Sequence, residues 1–363
     1  MVQVEKSQLL AELNETSNSY AVWRLPDESD YNIVISDHYS VIDFESVAQI
    51  PDSNGFIITP FDIEQRQTIF IPGQFTWIDN IQNGNFFLNL IESQIGDYPG
   101  KPVSKHDYLD QANRMINLIK EGQVEKVILS RLHVEQLNGI RPSEIFEKLC
   151  RKYPGAYVFW YYTPVTGLWM GASPELFVEV KNGSGKTVAL AGTRKNFSKT
   201  LDDAKWHQKE IEEQEFVTSY IEDVLNNHEV SEVKKEGPVT ISTGHLSHIK
   251  TTFSFKLDQI DGNTMRLLKD LHPTPAVCGL PKMRANKIIK SVENHNREYY
   301  GGFIGWVDND HLETYVNIRS MKIIDNDAIL FIGGGLTKDS VSELEWDETV
   351  LKAQTLLSVL KNI

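Results

Sequence analysis

AYVFWYYTPVTGLWMGASPELFVEVKNGSGKTVALAG, residues 156–192, is the stretch whose reading decides the fold. It holds four strand-like runs: AYVFWYY (156–162), GLWMGAS (167–173), ELFVEV (175–180) and KTVALAG (186–192). The runs are rich in aromatic and β-branched residues, and only short Pro-, Gly- and Asn-containing connections separate them. Parallel neighbours need a crossover of a dozen or more residues, so strands joined this closely pair antiparallel. NGSGKT (182–187) superficially imitates a phosphate loop, but Val180 stands where that pattern requires its first glycine. It joins two strands and opens no helix, so it is read as a hairpin turn.

The same pattern extends outward. Upstream, YNIVIS (31–36), NGFIITP (54–60), QTIFIP (67–72), FTWI (75–78) and NFFLNLI (85–91) alternate with Asp, Asn, Gly and Pro breakers. Ser104 is an N-cap, with Asp107 three residues on, for a helix that Gly122 stops. KVILSRLHVEQ (126–136) reads as a strand, and Pro142 starts a helix to Tyr153. Downstream lie a long helix over 205–227, strands at VTIS (239–242) and IKTTFSFKL (249–257), and a short helix from Asp261. A helix over 281–294 follows, then GGFIGWVD (301–308) and LETYVNIRSMKI (312–323) as a hairpin. DAILFIG (327–333) runs into Gly333, Gly334 and Gly335, and a helix over 342–360 closes the chain. Strands come in runs with helices grouped between them, which implies an α+β fold of large, mostly antiparallel sheets flanked by helices. No Pro/Gly/Ser linker divides residues 1–363, so one domain is expected, with a strand-rich part over 1–100.

Composition narrows the function. The 363 residues carry 36 Lys and Arg against 50 Asp and Glu, a net charge of −14. Nucleic-acid phosphates and acidic membrane surfaces would be repelled by that balance. The first residues form neither a signal nor a transit peptide, and no apolar run is long enough to span a bilayer. Cys150 and Cys278 lack any metal-binding spacing. A soluble protein of a reducing cytoplasm is expected. His245 and His248 fall in strand-rich sequence, where i and i+3 point to opposite faces, so a shared metal is not expected.

Two carboxylate pairs are more specific. Glu210 and Glu213 in KEIEEQE, and Glu345 and Glu348 in EWDETVLK, stand at i and i+3 on helices, with Lys352 one turn after Glu348. Alone, each pair reads as a solvated acidic face. If the two faces meet, the carboxylates repel unless a hard divalent cation lies between them, and oxygen-only ligation points to Mg²⁺ bound together with an anionic ligand. The glycine triplet permits either a tight turn or close backbone approach to such a ligand.

Nine strings, in order, carry a resemblance: KVILSR (126–131), GASPELF (171–177), LAGTR (190–194), KEIEEQE (209–215), HPTPAVCGLPK (272–282), REYYGGFIGWVD (297–308), NIRSM (317–321), FIGGG (331–335) and EWDETVLK (345–352). The chain resembles the chorismate-utilising enzymes, and within them the isochorismate synthase branch, from about residue 100 to its end. The resemblance implies that family's fold and a catalytic motif region over 101–363. It also implies Mg²⁺-dependent attack of water at ring C2 of chorismate with loss of the C4 hydroxyl, feeding menaquinone or siderophore biosynthesis. Lys126 matches the base that activates water, and Glu175 the general acid. A lysine base must be partly neutral, and an acid working near pH 7 must resist ionisation; both call for a poorly solvated site. Glu213 and Glu348 match the principal Mg²⁺ ligands, and Glu210 and Glu345 the second carboxylates.

Arg319, Tyr300, Gly334 and Gly335 match residues that hold the enolpyruvyl group. Lys352 matches a lysine near the ring carboxylate, Gly192 and Thr193 a loop approaching the ring, and His248 a pocket histidine. Arg194 departs toward salicylate and anthranilate members, and Gln214 replaces a frequent histidine, whereas HPTPAVCGLPK has the isochorismate form. Isochorismate synthase is therefore the expected activity, with salicylate synthase and a non-catalytic chorismate-binding subunit as alternatives. No glutaminase partner is expected, and a monomer or weak oligomer is.

Overall fold

A computed structural model describes residues 6–13, 16, 18–42, 54–77, 97–195, 206–228, 230–243, 246–257 and 262–361. The chain begins with α1 (Lys6–Leu13) and the strands β1 (Ser19–Arg24), β2 (Asn32–Ser36), β3 (Ser40–Ile42), β4 (Gly55–Thr59), β5 (Thr68–Pro72) and β6 (Thr76–Trp77). Next come α2 (Lys105–Lys120), β7 (Lys126–Gln136), α3 (Pro142–Lys152), β8 (Tyr157–Thr163), β9 (Gly167–Ser173), β10 (Leu176–Lys181) and β11 (Ser184–Lys195). They are followed by α4 (Gln208–Asn227), β12 (Ser231–Thr243), β13 (Leu246–Lys256), α5 (Gly262–Leu271), β14 (Gly279–Leu280) and α6 (Lys282–Val292). The last elements are β15 (Phe303–Val307), β16 (His311–Val316), β17 (Ser320–Ile324), β18 (Asp327–Leu336) and α7 (Ser342–Leu360).

The strands form two nine-stranded sheets, in the orders β14-β7-β18-β17-β9-β8-β1-β2-β6 and β12-β13-β11-β10-β16-β15-β4-β5-β3. The pairings are antiparallel, as the short connections require. In β8 both faces are buried and the side chains alternate. Tyr157, Phe159 and Tyr161 enter a largely aromatic core between the sheets, while Val158, Trp160 and Tyr162 pack outward under α1, α3 and α7. Helices α4 and α5 cover the outer face of the second sheet, and α2 and α6 close the end near β7. The strand-rich N-terminal part completes both sheets through β1 to β6.

Local signals appear where expected. Ser104 accepts the Asp107 amide at 3.1 Å as the cap of α2. Asn182 and Gly183, both at positive φ, form a two-residue hairpin between β10 and β11, which removes the phosphate-loop reading of NGSGKT. NFFLNLI and His245 lie outside the described residues.

Three expectations need correcting. The segment 312–323 is not one strand: β16 belongs to the second sheet and β17 to the first, and the chain crosses between them at 317–319. VTIS is only the end of a 13-residue strand, β12, whose charged first half pairs along β13. The glycine triplet is not a turn. Gly333, Gly334 and Gly335 lie within β18, opposite Ser130, Leu129 and Ile128 of β7.

Candidate active site

The crossings between sheets place the chemistry. The chain leaves the first sheet for the second at Pro174–Glu175, between β9 and β10, and returns at 317–319, between β16 and β17. Glu175 and Arg319 sit at these two points, joined across the gap by the Val316 amide donating to the Glu175 carbonyl at 3.0 Å. Beside them, β18 pairs with β17 only as far as Leu330, opposite Met321. Residues 331–336 are laddered to β7 alone, so one edge of that segment opens into a cavity.

This cavity has a volume of about 90 Å³. Of the expected residues, Glu175, Gly192, Thr193, Glu213, His248, Tyr300, Arg319, Gly334, Gly335 and Lys352 line it. Lys126, Glu210, Glu345 and Glu348 are not among its lining residues.

Lys126 opens β7 and is wholly buried, and among the described residues its ion-pair partner is Glu213, 3.1 Å from its Nζ. Burial pushes the Glu213 carboxyl up, but Lys126, Lys352 and Lys209 together hold it below the usual range. Glu175 is 3% exposed, and its Oε1 is buried without a hydrogen-bond partner. Burial raises its pKa to about 8 even though Lys126, Arg319 and Lys352 pull the other way. A carboxylic acid that keeps its proton at neutral pH can therefore act as a donor inside the cavity.

The cationic wall is braced. Arg319 adopts φ 51, a left-handed conformation rare for its type, and donates to His248 Nε2 at 2.7 Å. An arginine can only donate, so Nε2 accepts and Nδ1 carries the proton, which goes to the Gly192 carbonyl at 2.8 Å. His248 thus ties Arg319 to Gly192, at positive φ, beside a bulge in β11. Tyr300 is buried and stacks on Phe331. Lys352 donates to the Gly333 carbonyl at 3.0 Å and pairs with Glu348 at 2.8 Å. Arg194 does not line the cavity; it lies over the Trp206 ring.

The glycines permit close approach. A Cβ on Gly333 would stand 2.7 Å from the Tyr300 hydroxyl, and one on Gly335 only 2.5 Å from Glu213 Oε1. Gly335→Ala is therefore expected to fold yet push Glu213 off Lys126, and a 1 Å misplacement at a reacting site costs about 10²-fold in rate. Thermal melts with kinetic assays check this; normal turnover would show that the close approach serves packing alone.

The carboxylates meet lysines rather than one another. Glu345, 1% exposed, is ion-paired with Lys209, Glu348 with Lys352 and Glu213 with Lys126. Glu210 turns back to accept its own helix's His207 amide at 2.8 Å. Consequently no three acidic or histidine side chains stand ready to share a metal among the described residues. The donor set still fits Mg²⁺ in kind. All the candidates are carboxylate oxygens, and Glu345 Oε2 is buried with no hydrogen-bond partner. Burial and the neighbouring Glu348 raise the Glu345 pKa, with Lys209 offsetting them.

Sequence reading passed over Lys209 and Arg297, although both lie in the quoted strings. Arg297 is buried, bridges Glu293 at 2.9 Å, and donates to the Val277 and Ile128 carbonyls at 2.7 and 2.9 Å, bracing the strand that carries Lys126. Gln214 donates to the Ala189 carbonyl at 3.1 Å and Thr251 Oγ1 at 3.0 Å, locking α4 onto β11 and β13. No local pattern marks such long-range partners.

Residues 77–361 match the family model described as chorismate binding enzyme. Isochorismate synthase EntC of Escherichia coli (strain K12) is 30% identical over 317 residues, covering 83% of this chain and 79% of that protein. Anthranilate synthase component 1 of Acetivibrio thermocellus is 30% identical over 271 residues, covering 71% of this chain and 54% of that one. Among solved structures, a 2,3-dihydroxybenzoate-specific isochorismate synthase described as putative, DhbC from Bacillus anthracis, superposes with a TM-score of 0.80 at 23% identity, over 98% of this chain and 99% of that one. With two antiparallel sheets between which the chain crosses and a cavity beside the crossing points, the chain belongs to the chorismate-binding enzyme family.

Proposed function

We propose that this protein is an isochorismate synthase, converting chorismate to isochorismate with Mg²⁺. The observation that carries the reading is a cavity lined by a buried carboxyl of pKa about 8, with a wholly buried lysine amine ion-paired to the lining residue Glu213. Released from its ion pair with Glu213 and deprotonated, the Lys126 amine takes a proton from water as its oxygen bonds to ring C2. Both ring double bonds shift, and the C4 hydroxyl leaves with the proton of Glu175, so one water enters and one departs. Arg319, held by His248, receives the enolpyruvyl carboxylate with Tyr300 and the open backbone edge at Gly334 and Gly335. Lys352 turns from Glu348 to the ring carboxylate, and Gly192 and Thr193 border the ring. Mg²⁺ on Glu213, Glu345 and Glu348, with Glu210 as a further carboxylate of the set, would neutralise that carboxylate and fix its position.

Lysine at position 126 favours water over ammonia as the nucleophile. Arg194 lies over the Trp206 ring and is not among the cavity's lining residues, which weakens its use as an argument for a salicylate synthase. We further propose that residues 1–363 act as one chorismate-binding domain, supported by the completion of both sheets by β1 to β6. No helix among the described residues is long and apolar enough to cross a membrane. Cys150 and Cys278 are buried and not joined in a disulfide, which supports a cytoplasmic setting, where the product would feed menaquinone or a catechol siderophore.

The test is a chromatographic product assay on purified protein with chorismate and Mg²⁺, repeated with EDTA and with ammonium salts. Isochorismate approaching an equilibrium mixture, abolished by EDTA, is expected. Salicylate with pyruvate, anthranilate in the ammonium arm, or unchanged chorismate would each overturn the reading.

A further inference from the structure

Lys209 lies in the first turn of α4, does not line the cavity, and retains 25% side-chain exposure. Its ammonium is ion-paired with the deeply buried Glu345 and lies within electrostatic reach of Glu348 and Glu213. Its direct partner is thus a buried carboxylate on the other helix, with two further carboxylates nearby. Their other lysine partners differ in kind. Lys352 lines the cavity and Lys126 contacts its lining residue Glu213, so each has a reaction partner to turn to. Lys209 has none.

We propose that Lys209 is a built-in counter-cation, holding the buried Glu345 carboxylate until a divalent cation displaces it, and so setting the affinity for that cation. The proposal rests on the Mg²⁺ reading above. A buried carboxylate without a counter-charge is strongly disfavoured, and Lys209 supplies that charge before any metal arrives. An entering cation must release it, and the long, flexible lysine stem can carry the ammonium outward to solvent. The open arrangement is then a minor state, and apparent affinity is reduced by the fraction of molecules that adopt it. Glu345 Oε2, buried and without a hydrogen-bond partner while Oε1 is occupied, is a further oxygen that the entering cation would satisfy.

The experiment is calorimetric titration of the full chain with Mg²⁺ alone, without substrate, for the wild type, Lys209→Met and Lys209→Arg. Melts in EDTA and in Mg²⁺ accompany it. Lys209→Met is expected to bind Mg²⁺ about tenfold more tightly, the size of one lost charged hydrogen bond. It should melt lower in EDTA and gain more on adding Mg²⁺. Lys209→Arg, with a stiffer fork on Glu345, should bind Mg²⁺ more weakly than wild type. If Lys209→Met fails to fold, the arginine variant decides, and unchanged affinity there overturns the proposal. Wild-type binding with no tightening in a folded Lys209→Met overturns it while leaving the metal reading intact. Absence of Mg²⁺ binding in every form overturns both.

Discussion

Glu175→Gln is expected to abolish turnover while making the protein more stable at neutral pH. Glutamine keeps the shape of the carboxyl but has no proton to give the departing hydroxyl, and loss of a general acid costs about 10²-fold or more. The stability gain follows from linkage. Burial holds the folded carboxyl at about 8, far above its unfolded value, so folding favours the protonated form. That contribution is fully present below the unfolded pKa, and it is lost as pH rises toward and through about 8, at about 1.4 kcal/mol per pH unit. Glutamine cannot ionise, so the variant should escape this loss and melt several degrees higher than wild type at pH 7.5–8. Wild-type activity should also fall as pH rises past about 8, when the acid loses its proton. Near-normal turnover in purified Glu175→Gln would remove the residue from the mechanism. Equal melting temperatures at high pH would remove the buried-acid account.

Lys126→Gln should lose activity by about 10²-fold or more, as expected for a missing base. Lys126→Arg separates base from counter-ion. Arginine preserves the positive charge facing Glu213 but cannot give up its proton, so it should be equally inactive. The two variants should differ in acid stability. Lys126 helps hold Glu213 ionised below the usual carboxylate range, a contribution present above the unfolded pKa and lost as pH falls through the lower folded one. Lys126→Gln removes much of it and should melt lower than Lys126→Arg near neutral pH, with the gap closing under acid. Activity in Lys126→Arg would mean that the residue acts through its charge alone.

Much of the site is legible before any coordinates. GASPELF, NIRSM and FIGGG mark the residues that line the cavity, and the spacing of Glu210 with Glu213 and of Glu345 with Glu348 places each pair on one helical face. What those faces touch is not legible. Glu210 caps its own helix, and Glu213, Glu345 and Glu348 meet lysines 87, 136 and four positions away along the chain. Arg194 looks informative as a string, yet lies over Trp206 away from the cavity.

The sequence by itself determined the α+β class, the antiparallel pairing forced by short connections, the Asn182–Gly183 hairpin, the helix caps and the family. All of these are local: period-2 alternation, backbone hydrogen bonds between near neighbours, and side chains one turn apart. Only the tertiary structure decided that β9 and β10, and β16 and β17, belong to different sheets, and that Glu175 and Arg319 lie where the chain changes sheet. Strand alternation reads the same in either sheet, since strands such as β8 in the first and β15 in the second are buried on both faces. Which strand lies alongside is set by packing between residues far apart in the chain, and so are the depth of burial at Glu175 and the lysine that meets each glutamate.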